Sequence, residues 1–159
     1  MSFDAASPAP GAQDVRVALQ AFIYDADGWL LVRESPTSGW CTLGGHLQRD
    51  EPVDAGLLRE IHEELGPDFN VHIERTVDAH TYDFPTGERY LSIFKLVRHL
   101  GGEISLGSDL TGWEARWWTT AELTTLLDAP SSQIIVPQQR WIVEWAQVSA
   151  RVLHPSPYP

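Results

Sequence analysis

The stretch REIHEELG, residues 59–66, sets Glu60, Glu63 and Glu64 within five positions of a chain that already carries 22 acidic against 11 basic side chains and a formal net charge of −11. In a helix, Glu60 and Glu64 stand at i and i+4, where like charges repel by a few tenths of a kcal/mol. Arg59 is the basic partner within the helix itself. Two readings follow: a solvated acidic face, or carboxylates gathered around a cation that the sequence does not contain. Mg²⁺ suits the second, because it takes oxygen ligands from a few carboxylates and keeps other positions for water and phosphate oxygens.

Working outward, the helix runs from about Pro52 to Leu65. Proline suits a first helical position, Gly66 suits a helix end, and Pro67 blocks continuation. At about 100° per residue, Leu57, Leu58, Ile61 and Leu65 form one apolar stripe for burial against a sheet, with the three glutamates along its border. Gly56 costs about 1 kcal/mol relative to Ala inside a helix, which predicts close approach of a neighbouring element there.

The remaining chain sets the frame. Its 159 residues suit one domain. The acidic balance argues against nucleic acid as a partner, since that affinity comes from Lys and Arg displacing counterions. Cys41 is the single cysteine, so no intrachain disulfide forms and a reducing cytoplasm fits best. The N-terminal stretch has no basic cluster followed by an apolar run, and no segment reaches the roughly 18 apolar residues of a membrane span. Residues 1–14 and 154–159, rich in Pro and small residues, read as disordered tails around a domain at 15–153.

Within that domain, VRVALQAFIY (15–24), the turn DADG and WLLVRE (29–34) read as a strand hairpin, followed by a loop. VHIERTVDAHTYDF (71–84), the reversal PTGE and RYLSIFKLVR (89–98) repeat the pattern. A short strand is expected within WEARWWT (113–119), with one of Trp117 and Trp118 inward and the other outward. Thr119 and Glu122 stand in capping-box spacing ahead of a helix through Leu127, which Pro130 helps to stop. Past Pro137, Trp141, Ile142, Trp145, Val148 and Val152 recur at helical intervals. That face can pack on the sheet or on a second copy in a homodimer. The fold class is mixed α and β, of the α+β type, with helices covering paired strands.

Around the acidic helix the residues Gly45, Glu51, Arg59, Glu60, Ile61, Glu63, Glu64 and Gly66 spell G-x5-E-x7-R-E-I-x-E-E-x-G. The pattern resembles the Nudix box. It departs from it at Pro67, where an aliphatic residue is usual. Further departures are Leu43 in place of the Pro of a Pro-Gly-Gly loop, Gln48 where a Glu is frequent, and Asp50 where a Gly is frequent. The resemblance implies a mixed β-sheet sandwiched between helices. It also implies hydrolysis of a nucleoside diphosphate linked to another moiety: a nucleoside triphosphate, ADP-ribose, nucleotide sugar or dinucleoside polyphosphate. Mg²⁺ is the implied cofactor, with Mn²⁺ as substitute.

The resemblance further implies Glu60, Glu64, Glu63 and the Gly44 carbonyl as metal ligands, with Arg59 paired to Glu51 to fix the start of the helix. Glu60 is the first choice of general base, with Glu114, Asp109 and Glu103 in reserve. Trp29, Trp40, Phe84 and Tyr82 lie near strand ends or loops, where an aromatic stacks on a base or packs in a core. Arg33 and Arg89 are either phosphate contacts or members of surface ion pairs. His46, within the metal loop, is the notable histidine among six without metal spacing. Two other function classes compete with catalysis: a catalytically inactive nucleotide-binding regulator of the same fold, and an interaction domain with an acidic helix.

Overall fold

The alternation in VRVALQAFIY organises the molecule because both sets of its side chains are buried. In the computed structural model, which describes residues 14–26, 28–83 and 86–128, this segment is strand β1 (Val15–Tyr24). Leu19, Ala21 and Ile23 enter one core cluster, while Phe22 and Tyr24 enter another. A strand buried on both faces is expected where helices cover both sides of a sheet.

The other strands are β2 (Trp29–Arg33), β3 (Leu43–His46), β4 (Asn70–Asp83), β5 (Arg89–Gly101) and β6 (Glu114–Trp118). They form one six-stranded sheet in the order β4-β5-β1-β2-β6, with β3 also paired to β1. The β1–β5 pairing is parallel and the others are antiparallel, so the sheet is mixed. The hairpin expected for β1 and β2 holds at its turn, where Ile23 pairs with Leu30 and Tyr24 with Trp29. Farther from the turn, Ala18 to Ala21 pair with β3 instead.

That third strand corrects the expectation of a loop around Leu43-Gly44-Gly45. Two adjacent glycines supply no side-chain period to read, and the strand exists through pairing with a distant segment. An added Cβ on Gly44 would stand 2.0 Å from the Leu19 carbonyl oxygen, so glycine permits the close fit against β1.

Helix α1 (Val53–Leu65) buries Gly56, Leu57, Ile61 and Leu65 on the Leu19 face. Leu58, expected in the stripe, is instead 37% exposed, because Leu57, Ile61 and Leu65 repeat at i, i+4 and i+8 and turn it to the flank. Pro52 is the residue before the helix, in extended conformation, rather than its first turn. Lys95 on β5 reaches Asp54 in the first turn at 2.8 Å and ties the helix to the sheet. Helix α2 (Thr120–Asp128) covers the opposite face through Leu123, Leu126 and Leu127.

The predicted capping box of α2 is present. The Thr119 backbone N–H donates to Glu122 Oε2 at 2.9 Å, and the Glu122 N–H donates to Thr119 Oγ1 at 3.2 Å. On β6, neither tryptophan points away from the protein. Trp118 packs under α2, and Trp117 packs on the opposite cluster. None of the helices among the described residues is long and apolar enough to cross a membrane. The expected helix carrying Trp141 and Trp145, the C-terminal tail, residues 1–13 of the N-terminal tail, and Phe84 lie outside the described residues.

Candidate active site

Strand β3 delivers the loop 46–51 to the side of α1, and the two are stitched together through one guanidinium. Arg59 is held by both oxygens of Glu51, with Nη2 donating to Oε1 at 2.8 Å and Nε to Oε2 at 3.2 Å. Its Nη1 donates to Glu60 Oε1 at 2.9 Å and Glu63 Oε2 at 3.0 Å, and Nη2 donates to the His46 carbonyl at 3.0 Å. A planar fork suits this arrangement better than a lysine would. The Arg59 guanidinium, with help from the Gln48 N–H at 2.6 Å, holds the Glu51 carboxyl below its usual range.

Two close approaches need glycine. An added Cβ on Gly45 would stand 2.2 Å from the Glu60 carboxyl carbon, so the bare backbone makes room for that carboxylate. The His46 N–H then donates to Glu60 Oε1 at 3.1 Å. The closeness expected at Gly56 is also present, supplied by side chains: an added Cβ would meet Glu51 Oε1 at 2.7 Å and a Leu47 methyl at 3.0 Å.

Glu64 behaves differently from its neighbours. Burial pushes its carboxyl up to about 8, with the Glu60 carboxylate adding to the rise, the Gly44 backbone opposing it, and Asp109 and Glu63 contributing further. Its Oε2 is buried with no hydrogen-bond partner. A buried carboxylate oxygen that lacks a donor and lies within the influence of other carboxylates is costly unless a cation completes it.

Asp109 reaches this neighbourhood through the segment after β5. The Ser105 N–H donates to the Leu65 carbonyl at 2.8 Å and the Gly107 N–H to the Glu64 carbonyl at 3.0 Å, satisfying the last carbonyls of α1. A 3₁₀ turn, Ser108–Leu110, follows and carries Asp109. Sequence reasoning held Asp109 only in reserve, because no local pattern reveals which helix a loop will cap.

The other candidates are dispersed. Arg33 lies opposite Glu114 on β6 and donates to it through Nε at 2.7 Å, with its guanidinium 4.5 Å from the Trp40 ring centroid. The ion-pair alternative for Arg33 is therefore the one present, and Glu114 is engaged there rather than beside Glu60. Trp40 is 2% exposed and meets Trp118 edge-on at 5.0 Å, so it is core rather than an open platform, as is buried Trp29. Tyr82 stacks on Tyr90 at 5.8 Å, and Arg89 lies 3.7 Å from Asp83 near the β4–β5 turn. Tyr90 in turn faces His46 at 5.5 Å, connecting that turn to the loop 46–51. Glu103 is exposed in the loop after β5.

The family model described as the NUDIX domain matches residues 14–139. The chain belongs to the Nudix family. Solved structures agree on the fold. A Nudix hydrolase from Nitrosomonas europaea is 21% identical with a TM-score of 0.68, covering 86% of this chain and 90% of its own. A MutT Nudix hydrolase from Burkholderia pseudomallei is 23% identical at 0.60, covering 84% and 98%. An ADP-ribose pyrophosphatase from Streptococcus suis is 22% identical at 0.58, covering 86% and 92%. No curated protein sequence matches the chain. The glutamates of REIHEELG therefore lie on a Nudix helix, and the protein is a Nudix hydrolase.

Whether that helix fits a divalent cation is tested by its own atoms. Among the described residues no three His, Cys, Asp or Glu side chains are already closed into a metal-binding group. The donor set is nonetheless that of a hard cation, all carboxylate and carbonyl oxygen, and the orphaned Glu64 oxygen asks for one.

Proposed function

We propose that the protein is a Mg²⁺-dependent pyrophosphohydrolase that cleaves the phosphoanhydride bond of a nucleoside diphosphate linked to another moiety. Mn²⁺ is the expected substitute. The observation that carries this reading is the unpartnered, buried Glu64 oxygen beside Glu60, Glu63 and Asp109. Glu60, Glu63, Glu64 and the Gly44 carbonyl would hold the cation. When bound, such an ion neutralises phosphate oxygens and makes water a competent nucleophile near neutral pH.

The chain's own residues do the positioning. Glu51 fixes Arg59, and Arg59 with the His46 N–H fixes the Glu60 carboxylate, which is the proton acceptor in this reading. Tyr82 and Arg89, joined to the loop through Tyr90 and His46, are the candidate contacts for the nucleotide.

The test is turnover on a panel of nucleoside triphosphates, nucleotide sugars, ADP-ribose and dinucleoside polyphosphates with Mg²⁺ and with Mn²⁺. Glu60→Gln and Glu64→Gln should each lower kcat by at least about a hundredfold while circular dichroism is retained. Near-normal turnover by both variants contradicts the assignment. Nucleotide binding without cleavage of any substrate favours the regulator instead.

A further inference from the structure

The loop that anchors the catalytic glutamates through its backbone turns side chains toward a groove on its other flank. That groove, with a volume of about 470 Å³, runs between the start of β1 and residues 46–49. Among the described residues its lining joins Arg16, His46, Gln48 and Arg49 to three apolar side chains and includes no carboxylate. In a chain of net charge −11, two guanidiniums, an imidazole and an amide meeting beside the apolar Val15, Val17 and Leu47 make a local basic site. Its size is in the range of small-ligand sites.

The two arginines are differently held. Arg16 donates to the Tyr90 hydroxyl at 3.5 Å and meets Glu88 at 3.0 Å, with 64% and 43% of those two side chains exposed. An ion pair that open to water is weakly held and exchanges readily for a better anion. Arg49 has no carboxylate or hydrogen-bond partner among the described residues. Tyr90, which accepts from Arg16, lies against the rings of His46 and Tyr82 and so braces two of the side chains that line the groove.

We propose that this groove is a subsite for a phosphate group of the substrate outside the scissile bond, held by Arg16 and Arg49 with His46 and Gln48 as further donors. The inference rests on the pyrophosphohydrolase reading and narrows it. Guanidinium forks match the geometry and charge of phosphate, which a neutral sugar does not offer. The groove therefore selects nucleoside triphosphates and dinucleoside polyphosphates over ADP-ribose and nucleotide sugars. The link to catalysis is the loop itself: the His46 N–H and carbonyl and the Gln48 N–H bind Glu60, Arg59 and Glu51. An anion in the groove is thus registered against the catalytic carboxylates by four consecutive residues.

The experiment compares the full chain with Arg16→Ala, Arg49→Ala and the double variant, measuring kcat and KM on a nucleoside triphosphate and on ADP-ribose with Mg²⁺. The wild type should favour the triphosphate. Each single variant should raise KM for the triphosphate by about tenfold, the loss of one charged hydrogen-bonding partner. KM for ADP-ribose and kcat for both should stay within about twofold. Arg→Lys at either position should restore part of the loss. A preference for ADP-ribose in the wild type, or equal effects of the variants on both substrates, overturns the proposal.

If the wild type cleaves nothing on the panel, the pyrophosphohydrolase reading has failed, and the groove is read separately by thermal shift with inorganic tripolyphosphate in the absence of metal. Stabilisation of the wild type but not of the double variant supports the site. Equal stabilisation of the two, or none in the wild type, removes it.

Discussion

Glu64 combines opposing demands in one side chain. As an unfilled carboxyl it is buried, unpartnered at Oε2 and pushed up to about 8 from an ordinary 4.5. A raised carboxyl means that the folded state binds the proton more tightly than the unfolded chain does. Without metal, stability should therefore be greatest below pH 4.5 as far as this group is concerned, fall through the interval up to about 8, and level off above it. Thermal melts of wild type and Glu64→Gln in chelator check this. The variant should lose that slope and melt higher than wild type at pH 8.5, although it is expected to be inactive. Equal slopes would mean that Glu64 is an ordinary solvated carboxylate.

Two backbone positions make predictions at the same scale. Asp50 has φ 66, a left-handed conformation that costs most non-glycine residues about 1 kcal/mol or more. This accounts for Asp50 standing where glycine is frequent in the resembled pattern. Asp50→Gly should raise Tm by about 1–3 °C, given a gain of under 1 kcal/mol. At Gly45 the opposite holds, because a methyl group would occupy the place of the Glu60 carboxylate. Gly45→Ala should cut kcat by tenfold or more, on the order of one lost catalytic contact, with a smaller effect on KM. Steady-state kinetics separates the two.

At the scale of elements, legibility followed the range of the forces involved. Helix α1 was readable because Pro52, Gly66 and Pro67 punctuate it locally, and α2 because Thr119 and Glu122 cap it reciprocally. Thr119→Ala should cost about 1 kcal/mol and lower Tm by about 2–4 °C, measured by calorimetry. Strand β3 was not readable, since Gly44 and Gly45 carry no pattern and its partner lies more than twenty residues away. The same applies to Asp109, brought to Glu64 by a loop whose Gly107 fits against α1: an added Cβ there would stand 1.8 Å from the Glu63 carbonyl oxygen. Arg33 and Trp40 have partners that their local sequence does not reveal, for a related reason. Their chemistry suits a phosphate or a base, but β2 sets Arg33 against Glu114, and Trp40, next to the Cys41 bridge to Val32, packs in the core with Trp118.

For the whole molecule, one sheet buried on both faces separates two tasks. The face under α1 carries the carboxylates, and the end of β3 with the loop after it lines the groove of Arg16 and Arg49. The net charge of −11 excludes a polyanion as a ready partner unless a cation or a local basic site intervenes, and the fold places candidates for both at one loop. The family was legible in the box residues because their offsets are dictated by the chemistry of one helix. The proposed selection among nucleotides was not, because it would depend on residues from β1 and the loop meeting in space.

The account turns on the Nudix helix taking a divalent cation through a carboxyl that must first give up its proton. Calorimetric titration of Mg²⁺ into the full chain at pH 7, repeated in two buffers of different ionisation enthalpy, measures both binding and proton release. About one proton released per site is expected, with release abolished in Glu64→Gln. Absence of binding, or binding with no proton released, would contradict it.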